Sequence, residues 1–441
     1  MENVDIENLD IENLETNPEN KDLKLIKYDD GEIHDKAIEF TKILKFRTIR
    51  SDLDKKEMFM YDKNNGIYIP HGASYIRELC AKNRSTSNKK FIESFVYHIQ
   101  NITIIDRNDF INPKNLINLR NGTYDLEADK LLEHSPEYNF QGLLEIEYNK
   151  SAECPIWKDV LSKMFLSQSD LLRTQKWFGY QFVRENREQI AHGYFGESGS
   201  GKSQILKTMR DLLGPKNVTN FNLQEFSNPN MYALASLYGK YANINYDMST
   251  SQLKDITNFK MITAGDPISA RNPYKEPFTF VNHAKLTWAC NKLPKISDET
   301  INAPEIKRRI MLTETKKGYN DEDIDKDIYS KFVKELPGIF NWAVEGYRLY
   351  FKHKGFNYDH DEVPSIWKGN MDSFYGEHET MDDENRIMFY ELGEQISKKE
   401  LELKLVQEKL KIENSSELKH QEIKILDELN ELNESYKNFN S

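Results

Sequence analysis

The sequence predicts an α/β protein in which a core domain with a mainly parallel sheet follows an α+β domain and precedes a C-terminal helical segment. Residues 187–315 alternate short β-like runs with helical patterns, which is typical of a parallel sheet covered by helices. Residues 27–186 mix strand and helix patterns with turn signals such as Asn64-Asn65-Gly66. Beyond Glu384 the composition changes to Glu, Lys, Leu and Asn, and the apolar residues recur at helical spacing.

Composition and charge limit the class of protein. A chain of 441 residues with 38% hydrophobic and 12% aromatic residues can bury sizeable cores in two or three domains. The net charge of -12 argues against a protein that coats nucleic acid with a general cationic surface, although a locally basic pore remains compatible with it. No apolar run reaches the ~18 residues of a membrane span, so we expect no membrane partner and a cytoplasmic location.

The three cysteines and the N-terminal segment are not expected to carry chemistry. Cys80, Cys154 and Cys290 are too scattered for a disulfide framework and share no ligand-like spacing with the histidines, so we expect reduced thiols and no structural zinc. Residues 1–22 carry eight acidic residues and one lysine. We therefore expect residues 1–26 to form a disordered acidic tail that solubilises the chain, rather than a partner-binding arm.

Outside the core, the sequence predicts one clear hairpin and one charged helical region. Residues 116–126 contain two alternating apolar runs around Asn121-Gly122, a strong hairpin signal. Residues 351–383 are predicted to be a linker. Residues 384–441 fit two helices with a break at residues 414–416, as a hairpin, a coiled-coil contact or an ordinary amphipathic surface.

The stretch that indicates function is a glycine-rich loop that matches the pattern G-x-x-x-x-G-K-[ST] in full. It consists of Gly196, Glu197, Ser198, Gly199, Ser200, Gly201, Lys202 and Ser203. A strand pattern at 190–195 enters the loop, and a helical pattern at 205–213 leaves it. In such a loop the glycines let backbone N–H groups approach phosphates, the lysine reaches the β and γ phosphates, and the serine hydroxyl binds Mg²⁺. The sequence therefore predicts a site for a nucleoside triphosphate, ATP, with Mg²⁺.

Two further strand patterns end in polar residues that suit this chemistry. Residues 240–247 end at Asp247, which we expect to act on the metal side of the site, with a turn-capping aspartate as the alternative. Residues 284–290 end at Asn291, whose amide is predicted to hold the attacking water; a turn asparagine is an equal alternative on composition alone. No second acid adjoins Asp247, so the water-activating base stays unidentified.

Together these segments resemble superfamily 3 helicases, specifically the primase-helicase ATPases of the phage, plasmid and poxvirus type. The matching segments keep their order at residues 196–203, 239–247, 259–266, 285–294 and 308–309, within roughly 45–350. The resemblance implies an AAA+-like P-loop NTPase core at residues 187–350. It also implies a homo-hexameric ring that hydrolyses ATP, translocates on DNA and unwinds it during replication of a virus, phage or plasmid-type mobile element.

The resemblance also assigns roles outside the loop. Arg308 is expected to reach the γ phosphate of the neighbouring subunit as an arginine finger, with Arg309 as the substitute. Without the family, an ion pair is the simpler interpretation of these arginines. The segment 271–277 corresponds to a hairpin in the central channel, where Arg271, Tyr274 and Lys275 would contact single-stranded DNA.

The sequence departs from the family in ways that keep other functions open. Pro273 stands where relatives often have a basic residue. We expect no separate primase domain and no primer synthesis. One alternative is a monomeric phosphate-loop NTPase of another class, such as a kinase or switch GTPase. The other is a nucleotide-gated scaffold that recruits a separate primase or replication protein through its acidic tail or its helical end.

Overall fold

The computed structural model describes residues 30–50, 56–83, 89–107, 109–110, 112–227, 231–249, 251, 256–273, 277–294, 296–316, 325–375, 399, 402–403, 406–407 and 416–439. The acidic segment 1–26 lies outside these residues. The chain divides into two compact units, residues 1–367 and residues 368–441. In the described part of the chain, no helix combines the length and the apolar character that crossing a membrane requires. The three cysteines are buried free thiols.

The first part of unit 1 is a mixed sheet covered by three helices. Helices α1 (Asp30–Ile43), α2 (Gly72–Asn83) and α3 (Lys89–Ile102) accompany strands β1 (Phe46–Arg50), β2 (Lys56–Asp62), β3 (Ile67–Pro70) and β4 (Ile104–Ile105). The sheet order is β3-β2-β1-β4, antiparallel except for the β1–β4 pair. An apolar core that includes Phe40, Phe46, Phe95 and Ile99 joins the helices to the sheet.

The hairpin predicted around Asn121-Gly122 is present. Strands β5 (Leu116–Leu119) and β6 (Gly122–Asp125) pair antiparallel, and β7 (Lys130–Leu132) pairs with β6. Leu119 pairs directly with Gly122, so the two loop residues are Arg120 and Asn121 rather than Asn121 and Gly122. Gly122 has a φ of 148°, and a Cβ there would lie 2.5 Å from the carbonyl oxygen of Leu132. The glycine is therefore needed for strand pairing as much as for the turn.

Two helices in close contact connect this region to the core domain. They are α5 (Gln168–Tyr180) and, much later in the chain, α13 (Leu336–Lys352). A Cβ on Gly346 would lie 2.0 Å from the carbonyl oxygen of Gln175, and one on Gly179 would lie 2.1 Å from the backbone nitrogen of Tyr347. The glycines thus allow the two backbones to approach. The N-terminus of the preceding helix, α4 (Pro155–Met164), is capped by Glu335, the residue before α13. The Glu335 carboxylate accepts from the N–H groups of Ile156 and Trp157.

A five-stranded parallel sheet forms the centre of the core domain, as the sequence predicts. Its strands are β8 (Ala191–Phe195), β9 (Val218–Thr219), β10 (Ala242–Asn245), β13 (Lys285–Cys290) and β14 (Ile310–Glu314), in the order β14-β8-β13-β10-β9. All four strand pairs are parallel. Helix α6 (Lys202–Leu213) packs on the sheet through Ile205, Leu206 and Met209, which are fully buried. Since parallel strands share a direction, their carboxyl ends meet at one edge.

Shorter elements surround this sheet. The helices are α7 (Leu223–Ser227), α8 (Met231–Ser236), α9 (Thr257–Ala264), α10 (Asp298–Asn302), α11 (Pro304–Lys307) and α12 (Ile328–Lys334). Strands β11 (Pro267–Arg271) and β12 (Pro277–Val281) form a separate antiparallel hairpin. Strand β12 of this hairpin is held by aromatic contacts, because the Phe278 and Phe280 rings lie 5.6 and 5.5 Å from the ring of Tyr238.

The predicted linker 351–383 contains packed structure in its first half. A 3₁₀ turn at His360–Glu362 leads into α14 (Val363–Tyr375). Val363 and Trp367 are buried, and the Trp367 indole N–H donates to the carbonyl oxygen of Pro294 at 2.9 Å. These apolar side chains are widely spaced among polar residues, which is why the stretch looks like a linker in sequence.

In unit 2, the helical residues between 399 and 407 that the structure describes pack against a later helix. Residues 399, 402–403 and 406–407 are helical, and α15 spans Ser416–Phe439. Val406 is buried with Ile425 and Leu429 of α15. Lys399 pairs with Glu428 and Gln407 with Glu422, so the two stretches pack antiparallel.

Candidate functional site

The glycine-rich loop joins strand β8 to helix α6. Gly196, Gly199 and Gly201 have φ values of 143°, 78° and 90°, which L-residues with a side chain rarely adopt. The loop therefore needs glycine at these three positions, and its last residue, Gly201, is the residue before α6. The N-terminus of a helix that follows such a loop presents backbone N–H groups and favourable partial charge to an anion.

The Lys202 side chain lies inside the loop. Its ammonium donates to the carbonyl oxygens of Gly196 (2.8 Å) and Glu197 (2.6 Å) and to the hydroxyl of Ser200 (3.0 Å). Burial lowers the pKa of Lys202, while Cys290, Asp247 and Glu197 act in the opposite direction. The loop thus holds a cation at its centre, and phosphate oxygens can replace the carbonyl acceptors without moving it far.

Thr315 supports the loop from the strand beside it. The Thr315 and Ser200 hydroxyls lie 2.8 Å apart, and the Thr315 N–H donates to the carbonyl oxygen of Phe195. A Cβ on Gly196 would lie 2.4 Å from Thr315 Oγ1, so the loop and this threonine fit closely. Thr315 is 4% exposed. Its hydroxyl therefore fixes Ser200, which in turn holds the Lys202 ammonium.

Replacing Thr315 with valine is expected to lower the free energy of unfolding by about 1–2 kcal/mol, because the buried Ser200 hydroxyl loses a partner while the side-chain shape is kept. Urea unfolding measures this change. Thr315→Ser is the matched control, since it keeps the hydroxyl. A valine variant as stable as the parent would show that the hydroxyl pair does not support the loop.

Asp247 follows strand β10, which is separated from the loop strand β8 by strand β13. The strand β10 ends at Asn245, so Asp247 lies two residues beyond the strand rather than at its last position as the sequence predicts. The reason is a local turn, because the Asp247 N–H donates to Asn245 Oδ1 at 3.1 Å. The carboxylate is exposed, and its charge opposes the lowering of the Lys202 pKa by burial. Asp247 thus lies close enough to Lys202 for the two charges to interact.

Buried amides explain the weak strand pattern before Asp247. Asn243 Oδ1 accepts from the Phe221 N–H at 2.8 Å and from the Thr219 hydroxyl at 2.9 Å. Asn245 Nδ2 donates to Asn222 Oδ1 at 3.2 Å. Because their hydrogen bonds are satisfied, these polar residues occupy a fully buried strand and fix the turn that carries Asp247.

Asn291 follows strand β13, which lies between the strand that enters the loop and the strand before Asp247. Cys290 pairs with Phe195, so Asn291 comes directly beside the start of the loop, and its side chain is exposed. The neighbouring Cys290 is buried, and burial raises the pKa of its thiol to about 12. The parallel sheet thus brings the ends of the loop strand, the Asp247 strand and the Asn291 strand to one edge.

Arg308 and Arg309 lie where the strands begin, at the sheet edge opposite to the one formed by the carboxyl ends. They precede β14, whose Ile310 pairs with Ala191 and whose Glu314 pairs with Phe195. At the usual rise of a strand, this separates them from the loop of their own chain by roughly 15–20 Å. Arg308 is exposed, whereas Arg309 is 7% exposed and donates to Gln189 Oε1 at 3.0 Å. Of the two, Arg308 has the side chain that is accessible to another molecule.

The segment expected to contact DNA is partly described. Arg271 is the last residue of β11 and is exposed at the tip side of the β11–β12 hairpin. Tyr274 and Lys275 lie outside the described residues. The Arg107 guanidinium lies 5.1 Å from the centre of the Phe278 ring and 5.4 Å from that of Tyr238. Strand β12 of the hairpin is thereby joined to the domain that precedes the core.

The residues present fit a triphosphate with its metal. Three glycines at positive φ form a backbone cradle, and Lys202 supplies a buried cation. Ser203 is exposed at the start of α6, and Asp247 is the carboxylate that interacts with Lys202. Among the described residues, no cluster of three or more His, Cys, Asp or Glu could hold a metal by itself. A hydroxyl and one carboxylate suit Mg²⁺, which takes its remaining ligands from phosphates and water.

Sequence reasoning missed Thr315 and Cys290 as neighbours of the loop. Both are uncharged residues at strand ends, and only the strand order brings them to Ser200 and Lys202. The available signal was the apolar run 310–312 followed by Thr313, Glu314 and Thr315, a pattern common in ordinary strands.

Two family models match parts of the chain. Residues 26–166 match the family described as D5 N terminal like. Residues 194–309, which include the glycine-rich loop, match a family of unknown function, DUF5906. Each match covers less than half of the chain, so each is a similarity of the matched region. No curated protein is similar enough to this chain to count as a match.

Three solved structures are similar to this chain at low sequence identity. Two apo structures in the A form of the C-terminal region of NrS-1 have TM-scores of 0.46 and 0.48, each at 13% identity. They cover 90% and 91% of this chain, which in turn covers 87% and 86% of theirs. Another apo structure of the NrS-1 C-terminal region has a TM-score of 0.47 at 13% identity. This match covers 79% of the present chain and 76% of the NrS-1 chain.

Proposed function

We propose that this protein is an ATP-dependent DNA helicase of the superfamily 3 type, with an AAA+-like phosphate-loop core that works as a homo-hexameric ring. The observation that carries the proposal is the distribution of side chains over one parallel sheet. The loop, Asp247 and Asn291 share the edge formed by the carboxyl ends of the strands, whereas Arg308 is exposed near the opposite edge. Brought together from two copies, these groups combine phosphate binding, metal binding and an arginine finger in one phosphoryl-transfer site.

Each residue has a definite role in this proposal. The loop residues 196–203 bind the phosphates of ATP, and Lys202 neutralises the charge on the β and γ phosphates. Ser203 and Asp247 hold Mg²⁺ on the metal side, and Asn291 orients the attacking water. Arg308 of the adjoining copy stabilises the charge that develops on the γ phosphate, whereas Arg309, bonded to Gln189, positions the strand. The site is incomplete in one copy, which favours a ring over a monomeric NTPase.

The proposal for DNA rests on the hairpin between β11 and β12. Its tip carries Arg271, Tyr274 and Lys275 in sequence, a pattern that suits contact with phosphates and bases of a single strand. Copies around a channel would concentrate positive charge locally in an acidic protein. The similarity of residues 26–166 to the D5 N terminal like family supports the part of the resemblance that precedes the core. A role in replication of a phage or plasmid-type element follows from the same resemblance.

ATP hydrolysis measured with and without single-stranded DNA tests this function. We expect DNA to stimulate hydrolysis and a forked duplex to be unwound. In the double variant Arg271→Ala/Lys275→Ala, hydrolysis without DNA should persist, while DNA stimulation and unwinding are lost and DNA binding becomes less sensitive to salt. Lys352→Ala, which removes an exposed lysine at the end of α13, is the matched control. Active hydrolysis that responds to no DNA would contradict the helicase proposal.

A further inference from the structure

A cavity lined by charged and aromatic residues lies away from the glycine-rich loop. Its volume is about 480 Å³, within the usual range for small-molecule sites. Three parts of the chain line it: the ends of the β5–β6 hairpin, the stretch 183–187 after α5, and the last turns of α13. The cavity is therefore formed where the α+β domain meets the core domain.

A buried arginine, Arg184, forms part of the lining of this cavity. Arg184 is 7% exposed, and its Nε and Nη1 atoms are buried without a hydrogen-bond partner in the part of the chain that the structure describes. Its guanidinium lies 4.6 Å from the centre of the Tyr241 ring, which offsets part of the cost of burial. An arginine stays protonated in proteins, so a buried guanidinium requires an anion or hydrogen-bond acceptors.

Two carboxylates line the cavity, and one of them, Glu127, accepts from the side-chain amide of Asn115 and has no ion pair among the described residues. Glu185 pairs with Lys114 and, at 3.4 Å, with Arg187. Arg348 pairs with Asp129 at 2.7 Å. No ion pair with Arg184 is present among the described residues, so the cavity keeps an excess of positive charge at its inner wall.

Two further basic residues, Lys285 and His283, lie close enough to Arg184 to sense its charge. Lys285 is 2% exposed, and its ammonium donates to the carbonyl oxygens of Val183 and His283. Burial, with the charge of Arg184 as a further cause, lowers the pKa of Lys285 well below its ordinary value. His283 also has its pKa lowered, to about 4, by burial first and then by Arg184. Burial is the larger cause of both shifts, and the charge of Arg184 adds to it.

We propose that this cavity binds a phosphate group and that Arg184 is its anchoring residue. The guanidinium is rigid and presents paired donors that match the oxygens of phosphate, and Lys114 and Arg187 line the mouth of the same cavity. Tyr347 and Phe351 supply an aromatic wall that suits a flat group attached to the phosphate. The phosphate comes either from a free nucleotide or from the backbone of a nucleic acid. This site is separate from the loop at residues 196–203.

Thermal unfolding in phosphate tests the proposal. The experiment uses the full chain with Lys202→Ala, which removes the loop's own affinity for phosphate, and compares inorganic phosphate with chloride at equal ionic strength. We expect phosphate to raise the Tm by at least ~3 °C. Adding Arg184→Met should abolish this rise and leave the Tm in chloride equal or higher, because a buried unpaired charge is removed. Arg184→Lys should keep part of the rise.

A second variant covers the case in which Arg184→Met fails to fold. Lys114→Glu changes a side chain that is 65% exposed and should weaken phosphate binding about 10-fold by placing a negative charge at the mouth. Adding AMP or a short oligothymidylate in place of phosphate then distinguishes a free nucleotide from a nucleic-acid backbone. An equal phosphate effect with and without Arg184, or no phosphate effect at all, would overturn the proposal and leave Arg184 as a packing partner of Tyr241.

Discussion

Replacing Lys202 with alanine is expected to reduce the rate of ATP hydrolysis by about 10³-fold, because the cation at the centre of the loop is lost. In the structure the Lys202 ammonium donates to Gly196, Glu197 and Ser200, so it lies where a phosphate chain would pass between the loop and α6. Steady-state hydrolysis at saturating ATP measures this effect. Binding of a fluorescent ATP analogue should weaken in parallel, since the proposed role of the lysine is to contact bound phosphates as well as the transition state.

Lys207→Ala is the matched control for this variant. Lys207 lies on the same helix, and its ammonium lies 5.9 Å from the centre of the Tyr329 ring, away from the loop. Its removal should leave hydrolysis within about twofold of the parent. If Lys202→Ala hydrolyses ATP as well as Lys207→Ala does, the loop is not the site of hydrolysis.

Replacing Arg308 with alanine is expected to lower hydrolysis by about 10³–10⁵-fold while ATP still binds. The arginine is exposed and lies at the edge of the sheet opposite to its own loop, so its loss should not disturb the phosphate cradle. The variant should therefore bind the fluorescent ATP analogue with unchanged affinity. A parallel loss of binding and hydrolysis would indicate that Arg308 supports its own chain instead.

Arg309→Ala serves as the comparison because it separates catalysis from stability. Arg309 is buried and bonded to Gln189, and its carbonyl oxygen accepts from the N–H of Ala191. We expect this variant to lose about 1–3 kcal/mol of unfolding free energy, because Gln189 loses its partner and a cavity forms. An arginine finger at position 309 would instead give a stable, inactive protein.

Much of the core could be predicted from sequence because local pattern and tertiary role agree there. The apolar run before Gly196 forms a fully buried strand, and the apolar face after Lys202 forms a helix ended by Gly214 at a φ of 83°. Strand β10 was harder, since two of its four residues are asparagines whose side-chain partners lie at residues 219–222. The position of Asp247 follows from those partners, which no local pattern reveals.

The remaining features depend on contacts between distant parts of the chain. Thr315 supports Ser200 only because β14 lies beside β8 in the sheet. The Arg184 cavity combines three stretches that are far apart in sequence, and Arg184 itself lies in a turn that matches no motif. In the same way, the helix at Val363–Tyr375 replaces part of a predicted linker because single apolar residues find partners elsewhere.

Mixing two inactive variants tests the central claim most directly, namely that two copies build each ATP site. Lys202→Ala lacks the loop cation but keeps Arg308, and Arg308→Ala lacks the arginine but keeps the loop. Hydrolysis should reappear when the two proteins are mixed and assembled with DNA, because some interfaces then join an intact loop to an intact arginine. A mixture that stays as inactive as either variant alone, although both variants fold and co-assemble, would contradict a site shared between subunits.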